Sequence, residues 1–356
     1  MTEPIQNLIL SFISSLAITF FAIPPLISLA KSKNLYDVPD SDRKSHTINT
    51  PTLGGIAIFA GLIFSMTFWT NFAIFPEIQY IITALTIIAF IGIIDDLVGL
   101  SPFKKLMGQV FASFIIVIWG DMRIESLFNI FGVGELPYII SIFFTVFVLL
   151  IIINSFNLID GINGLSASIG VVSTLVFGTW FYLVDDSSQL AIVAFGLLGA
   201  LIAFLRYNIT PAKIFMGDTG SLLLGLILGI FAIKFINVNL HYNGTYSVNS
   251  IPIVTMSILI IPLFDLLRSF SIRLANKRSP FRPDRNHMHH MLVDLGFSHI
   301  FATGILIIFN IAIIVIAFTL QDIGIYPLGF LILAISIIFS GTLYYLVKKK
   351  TKSSII

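Results

Sequence analysis

Eleven apolar runs, separated by short polar segments, constrain what this chain can fold into. They lie at about residues 8–30, 52–75, 78–94, 105–120, 137–156, 161–184, 189–206, 219–236, 251–270, 301–320 and 325–347. Most reach the roughly 17–25 residues that an α-helix needs to cross a bilayer. In hydrocarbon only a helix or a closed barrel satisfies every backbone polar group. The pattern predicts an all-α integral membrane protein of about eleven spans, built as one domain over residues 1–356 without linker or repeat. Composition agrees, with 57% hydrophobic and 11% charged residues, against roughly 25% charged in a soluble domain. The chain has no cysteine, which excludes disulfides and thiolate zinc sites. The first run is too long, and too poor in basic residues at its start, to read as a cleavable signal peptide.

The net charge of +2 says little; its distribution says more. With the N-terminus outside, 18 of the 20 Lys and Arg residues fall inside, and only Arg123 and Lys234 fall outside. This positive-inside bias predicts that orientation, with the C-terminus inside. The inside loops then lie at about 31–51, 95–104, 157–160, 207–218 and 271–300, followed by a basic tail at 348–356. The longest outside loops, 121–136 and 237–250, read as plain. Function is expected on the cytoplasmic face.

That face also collects acids at the ends of apolar runs. Asp95 and Asp96 close one run (FIGIIDDLVG), Asp160 follows another, and Asp218 opens a third. A carboxylate at a membrane boundary is costly unless paired, hydrated or bound to metal, so it reads as functional. Two adjacent acids at a helix C-terminus also oppose the helix dipole, yet they suit a divalent cation or the activation of a nucleophile. Lys104 and Lys105 fit either snorkelling anchors or a phosphate contact. Asn154, Asn157 and Asp160, three apart, share one helical face; they either bridge helices or line a polar cavity. Asp218, between Gly217 and Gly220, is either a helix cap or a metal ligand. Asp265 reads as structural, paired with Arg268.

The segment from Arg282 to His290 holds Arg282, Arg285, His287, His289 and His290. Arginine suits bidentate phosphate contacts, and phosphate binding ranks above a zinc site here. Together these groups suit Mg²⁺-dependent phosphoryl chemistry between a soluble diphosphate and a lipid phosphate. The rival from another class is an ion-coupled secondary transporter, but such proteins place their acids nearer the bilayer midplane.

The motifs together resemble the polyprenyl-phosphate N-acetylhexosamine-1-phosphate transferases. They are TPTLGG (50–55), DD (95–96), NSFNLIDGING (154–164), FMGDTGS (215–221) and PDRNHMHH (283–290), in that order. The resemblance implies transfer of a sugar 1-phosphate from a UDP-N-acetylhexosamine to undecaprenyl phosphate, releasing UMP. It implies Mg²⁺ as cofactor, with Mn²⁺ as a substitute, and a multi-pass protein of the bacterial cytoplasmic membrane. It implies no nucleic-acid partner and leaves a homodimer open. Asp218 would be the principal metal ligand. Asp95 and Asp96 would support the metal and position or deprotonate the lipid phosphate, and Lys105 would neutralise phosphate charge. Asn154, Asn157 and Asp160 would line the nucleotide-sugar pocket, with Asn208 near the nucleotide and Phe215 stacked on uracil. Arg282, Arg285, His287, His289 and His290 would bind diphosphate or sugar. The loop resembles the branch using UDP-N-acetylglucosamine or a related simple UDP-N-acetylhexosamine. The muramyl-pentapeptide branch, the alternative, typically has three consecutive histidines where Met288 interrupts here. Asn163 stands where many members carry a second acid.

Overall fold

The computed structural model describes residues 2–33, 35, 50–184, 188–209, 211–277 and 287–353. The helices are α1 (Thr2–Lys33), α2 (Gly54–Trp69), α3 (Ile78–Val98), α4 (Pro102–Phe114), α5 (Tyr138–Ile159), α6 (Leu165–Leu183) and α7 (Ser188–Asn208). They continue with α8 (Gly217–His241), α9 (Ile251–Ile258), α10 (Ile260–Ala275), α11 (Met288–Asp294), α12 (His299–Thr319) and α13 (Ile325–Ser353). A wider helical turn, Ile115–Trp119, extends α4.

Every predicted apolar run coincides with one of these helices or with a pair of them. Among the described residues, nine helices are long and apolar enough to cross a membrane, and the bent pair α9–α10 makes a tenth candidate. The run at 52–75 yields only the 16 residues of α2, a length of about 24 Å. This is a multi-pass, mostly helical membrane protein.

Two departures from regular helix have local causes. The run at 251–270 breaks by 86° between Ile258 and Ile260. Pro262 has no N–H to give the carbonyl four residues back, and that carbonyl belongs to Ile258. Ser173 Oγ on α6 and Asn310 Nδ2 on α12 donate to it instead, at 3.1 and 3.4 Å. Side chains of neighbouring helices thus satisfy backbone freed inside the bundle. In α1, Pro24 likewise frees the Phe20 carbonyl, which accepts the Tyr207 hydroxyl at 3.3 Å.

The loop at 121–136 is less plain than expected. It folds into an antiparallel hairpin, β1 (Ser126–Ile130) and β2 (Val133–Glu135). The Tyr326 hydroxyl accepts the Phe131 N–H at 2.7 Å and ties the hairpin tip to α13.

Helix α8 is the most enclosed of the long helices. It packs against α2, α3, α5, α6 and α9, and Leu222, Leu223, Leu226, Ile227, Ile230 and Phe231 are all fully buried. Its N-terminus therefore lies where the ends of α3, α4 and α5 meet.

Candidate active site

Asp95 and Asp96 occupy the last turn of α3, and a different neighbour compensates each. Asp96 turns to α8. Its Oδ1 accepts the Asp218 N–H at 2.7 Å, and its Oδ2 accepts the Thr219 N–H at 3.0 Å and the Thr219 hydroxyl at 2.6 Å. The residue at the N-cap of α8, Met216, supplies no side-chain cap. Asp96 is therefore the cap, lent by another helix, and it satisfies N–H groups that would otherwise be orphaned. Two glycines allow the approach. A Cβ on Gly92 would lie 2.3 Å from Thr219 Cα, and one on Gly217 would lie 2.7 Å from both Asp96 oxygens. Gly217 also holds φ of +71°, a conformation that favours glycine.

With the capping role taken, Asp218 is free to face the other way. Its Oδ2 lies 2.5 Å from Lys105 Nζ, and its Oδ1 accepts Asn157 Nδ2 at 2.5 Å. Lys105 also lies 3.0 Å from Asp95 Oδ2 and donates to Asn157 Oδ1 at 3.4 Å. Asp95 Oδ1 accepts the Leu100 N–H at 2.6 Å, and Asn157 donates in addition to Ser221 Oγ at 2.9 Å. Four helices thus place two carboxylates and one amide around one ammonium. Lys104, its sequence neighbour, is exposed and is the plain anchor of the pair. Among the described residues no three His, Asp or Glu side chains form a ready metal cage.

The remaining residues divide. Asn154 exchanges bonds with Gln109 on α4 at 2.8 and 3.4 Å and donates to the Leu150 carbonyl. It braces α4 against α5, one turn deeper than Asn157. Asn208 is also a brace. Its Oδ1 accepts the Gly164 N–H at 2.7 Å and its Nδ2 donates to the Ile214 carbonyl at 2.8 Å, tying the loop after α5 to the loop before α8. Phe215 is half-buried in the latter loop, which Pro51 and Gly54 pin by backbone bonds at 2.7 and 2.9 Å. Asp160 ends α5. It keeps part of its surface open, yet withdrawal from water, and then the charges of Asp218 and Asp96, push its carboxyl well above the usual range.

The histidines come next to this cluster through Gly161, where a Cβ would lie 2.4 Å from His289 Nε2. His289 is buried and stacks on His287, with ring centroids 5.6 Å apart and planes 7° apart. Burial, and then the neighbouring His290, His287 and His299, hold the His289 imidazole well below its ordinary proton affinity. His290 is half-buried, with its ring 4.2 Å from that of His289. Arg282 and Arg285 lie outside the described residues.

Sequence reading missed the residue that orients this group. Asp265 is 1% exposed and uses both oxygens on the histidine segment. It bonds His287 Nδ1 at 2.8 Å and the Met288 N–H at 2.9 Å, while Arg268 stands 3.8 Å away. Only the expected Arg268 pairing was legible locally, because a separation of 22 positions between Asp265 and His287 hides the contact.

Comparison with known proteins assigns the chain to a family. Residues 78–236, which carry Asp95, Asp96, Lys105, Asn157, Asp160 and Asp218, match glycosyl transferase family 4. A decaprenyl-phosphate N-acetylglucosaminephosphotransferase of Mycobacterium tuberculosis is 30% identical over 316 residues, covering 83% of this chain and 78% of its own. An undecaprenyl-phosphate alpha-N-acetylglucosaminyl 1-phosphate transferase of Escherichia coli K12 is 31% identical over 301 residues, covering 82% and 77%. The corresponding protein of Mycobacterium leprae is 29% identical over 316 residues.

Proposed function

The chain belongs to glycosyl transferase family 4, and from that premise we propose that it transfers N-acetylglucosamine 1-phosphate from UDP-N-acetylglucosamine to a polyprenyl phosphate, releasing UMP. The observation that carries this reading is the convergence of Asp95, Asp218 and Asn157 on Lys105 at the ends of apolar helices. Exposed apolar side chains flank it, with Val98 81% and Phe103 69% exposed. A prenyl chain lying in lipid can therefore bring its phosphate to the carboxylates from the side. The lopsided placement of Lys and Arg supports a cytoplasmic active face and an outside N-terminus, and the bacterial sources of the relatives favour the bacterial cytoplasmic membrane.

The donor set fits a divalent cation. Asp218 Oδ2 and Asp95 Oδ2 already converge on one positive charge, and Mg²⁺ is commonly held by one or two carboxylates completed by substrate phosphates. These two residues would hold it. Asp96 would not, because helix α8 occupies both its oxygens. When bound, the ion would stabilise negative charge on the transferring phosphoryl group.

The chain's own residues do the remainder. Asp95, ion-paired with Lys105, positions the acceptor phosphate beside them. An ionised oxygen of that phosphate attacks the β-phosphorus of the donor. The bond from that phosphorus to the bridging oxygen breaks, and UMP leaves with the electron pair. His290, which keeps part of its surface open, would meet the diphosphate, with His287 and His289 held behind it by Asp265. Relatives named for N-acetylglucosamine transfer, together with the interrupted histidine run, favour this donor over a muramyl-pentapeptide. The reaction would be a first membrane step in making a cell-envelope glycan.

Purified protein with undecaprenyl phosphate, Mg²⁺ and a panel of UDP-sugars tests the proposal. UMP release that requires lipid, metal and one N-acetylhexosamine donor, and that disappears in Asp218→Asn, is the expected result. Well-folded protein that turns over no UDP-sugar would overturn it. A phosphorylated enzyme isolated after UDP-sugar alone would replace direct attack by an aspartyl-phosphate route.

A further inference from the structure

The bonds around Lys105 point beyond a phosphate contact. Each carboxylate oxygen in the cluster has an assigned partner among the described residues. Both Asp96 oxygens hold the start of α8, Asp95 Oδ1 holds the Leu100 N–H, and Asp218 Oδ1 holds Asn157 Nδ2. The two that remain, Asp95 Oδ2 and Asp218 Oδ2, both go to Lys105 Nζ, at 3.0 and 2.5 Å. They are the same two oxygens that suit a divalent ion.

We infer that Lys105 is the resident counter-ion of the metal subsite, and that a divalent cation binds only by displacing its ammonium from Asp95 and Asp218. The inference rests on the proposed reading of this site as metal-binding and deepens it. Without a cation, two facing carboxylates a few ångströms apart at a membrane boundary would repel strongly. The ammonium relieves that repulsion and holds the pair together in the metal-free protein. A divalent ion on the same oxygens, with the ammonium still in place, would set like charges about 3 Å apart in a region of low dielectric, where their repulsion is severe. Exchange is therefore required. Lys105 lies in the first turn of α4, on a flexible four-carbon stem. Its ammonium can swing toward the aqueous end of the helix, where the donor diphosphate would receive it. The lysine thus keeps the metal-free site intact, competes with the metal, and is released as a phosphate ligand when the metal arrives.

Two readouts on purified full-length protein test this without measuring turnover. The first is Mn²⁺ affinity, from the electron paramagnetic resonance of free Mn²⁺, in wild type, Lys105→Met, Lys105→Gln and Asp218→Asn. Removing the competing ammonium should tighten Mn²⁺ binding by about tenfold or more, whereas Asp218→Asn should weaken it. The second uses wild type alone: amine-reactive labelling followed by peptide mass spectrometry, with exposed Lys104 as internal reference. Lys105 labelling should rise when Mn²⁺ is added. Mn²⁺ that binds wild type and both Lys105 variants equally, with Lys105 labelling unchanged, would overturn the inference and leave the metal reading standing. Failure of every protein to bind Mn²⁺ would remove the metal reading itself. If the Lys105 variants do not fold, the wild-type labelling result decides.

Discussion

Helix α3 carries acids at both of its ends, and the two ends solve opposite electrostatic problems. Glu77 precedes its N-terminus, where the helix dipole favours negative charge. It needs little help and has little: Lys234 stands 3.6 Å away and also rests over the Phe75 ring. Asp95 and Asp96 sit at the other end, where the dipole opposes them. There every charge is held by tertiary contacts from α4, α5 and α8. Lys105 and Lys234 have almost the same side-chain exposure, 15% and 17%. Number and depth of partners, not burial of the lysine, distinguish the candidate site from an anchoring ion pair. Charge placed against the local field is retained only where something requires it, and in the proposed function that requirement is a cation and two phosphates.

The contrast can be broken most directly by exchanging the two lysines for methionine. Lys105→Met should lower kcat/KM by about 10²- to 10³-fold, the usual cost of removing a group that stabilises developing charge. Lys234→Met should leave it within about twofold, since such partly exposed pairs contribute little. UMP release measures both. The next largest difference is in stability. Asp96→Ala leaves two backbone N–H groups and a hydroxyl without their acceptor and should cost about 2–4 kcal/mol. Glu77→Ala should cost about 0.5 kcal/mol or less. Unfolding in detergent compares them, and equal losses would refute the capping role of Asp96.

Asp265→Asn sharpens the comparison within the site. The amide preserves shape, but its oxygen and nitrogen cannot both replace carboxylate oxygens facing His287 Nδ1 and the Met288 N–H. KM for the UDP-sugar should rise about tenfold, in line with other lost supporting partners, with a smaller change in kcat. An effect on kcat alone would argue against an orienting role. The smallest expected effect is a pH dependence. Folded His289 resists protonation, while the unfolded side chain takes a proton near the ordinary histidine value of 6.5. Its contribution to stability is therefore complete above that pH and is lost as pH falls below it. Asp160 acts with the opposite sign: its raised affinity for a proton helps the folded state at low pH, and that help fades as pH rises through its folded value. Subtracting melting temperatures of His289→Gln from those of wild type between pH 5 and 8 isolates the histidine. A difference that does not change with pH would show that its burial is incidental.

Much of the architecture was legible in the chain because lipid imposes a simple rule. A run of apolar residues long enough to span must be helical, so all eleven runs found helices. The rule could not foresee the bend in the run at 251–270, because Pro262 alone does not say whether neighbours will satisfy the freed Ile258 carbonyl. Within the site, residue types and their order pointed to Asp95, Lys105, Asn157 and Asp218, which the fold brings together. Roles were less legible. Asp218, with Gly217 and Gly220 beside it, reads equally as a cap or a ligand, and Asn154 looks equivalent to Asn157. The first turns out not to be the cap, because Asp96 arrives from 122 residues away to take that role, and the second is spent on Gln109.

By itself, then, the sequence determined that the chain lives in a membrane, that it is helical, and which end of the bundle gathers acids, amides and histidines. Those properties follow from hydropathy and charge, which act residue by residue. The tertiary structure decided which acid caps and which faces Lys105, which amide joins that cluster and which only braces, and that Asp265 stands behind His287. These depend on helices approaching at Gly92, Gly161 and Gly217 closely enough for one side chain to satisfy another's backbone. Such contacts join residues far apart in the chain, so no local pattern encodes them.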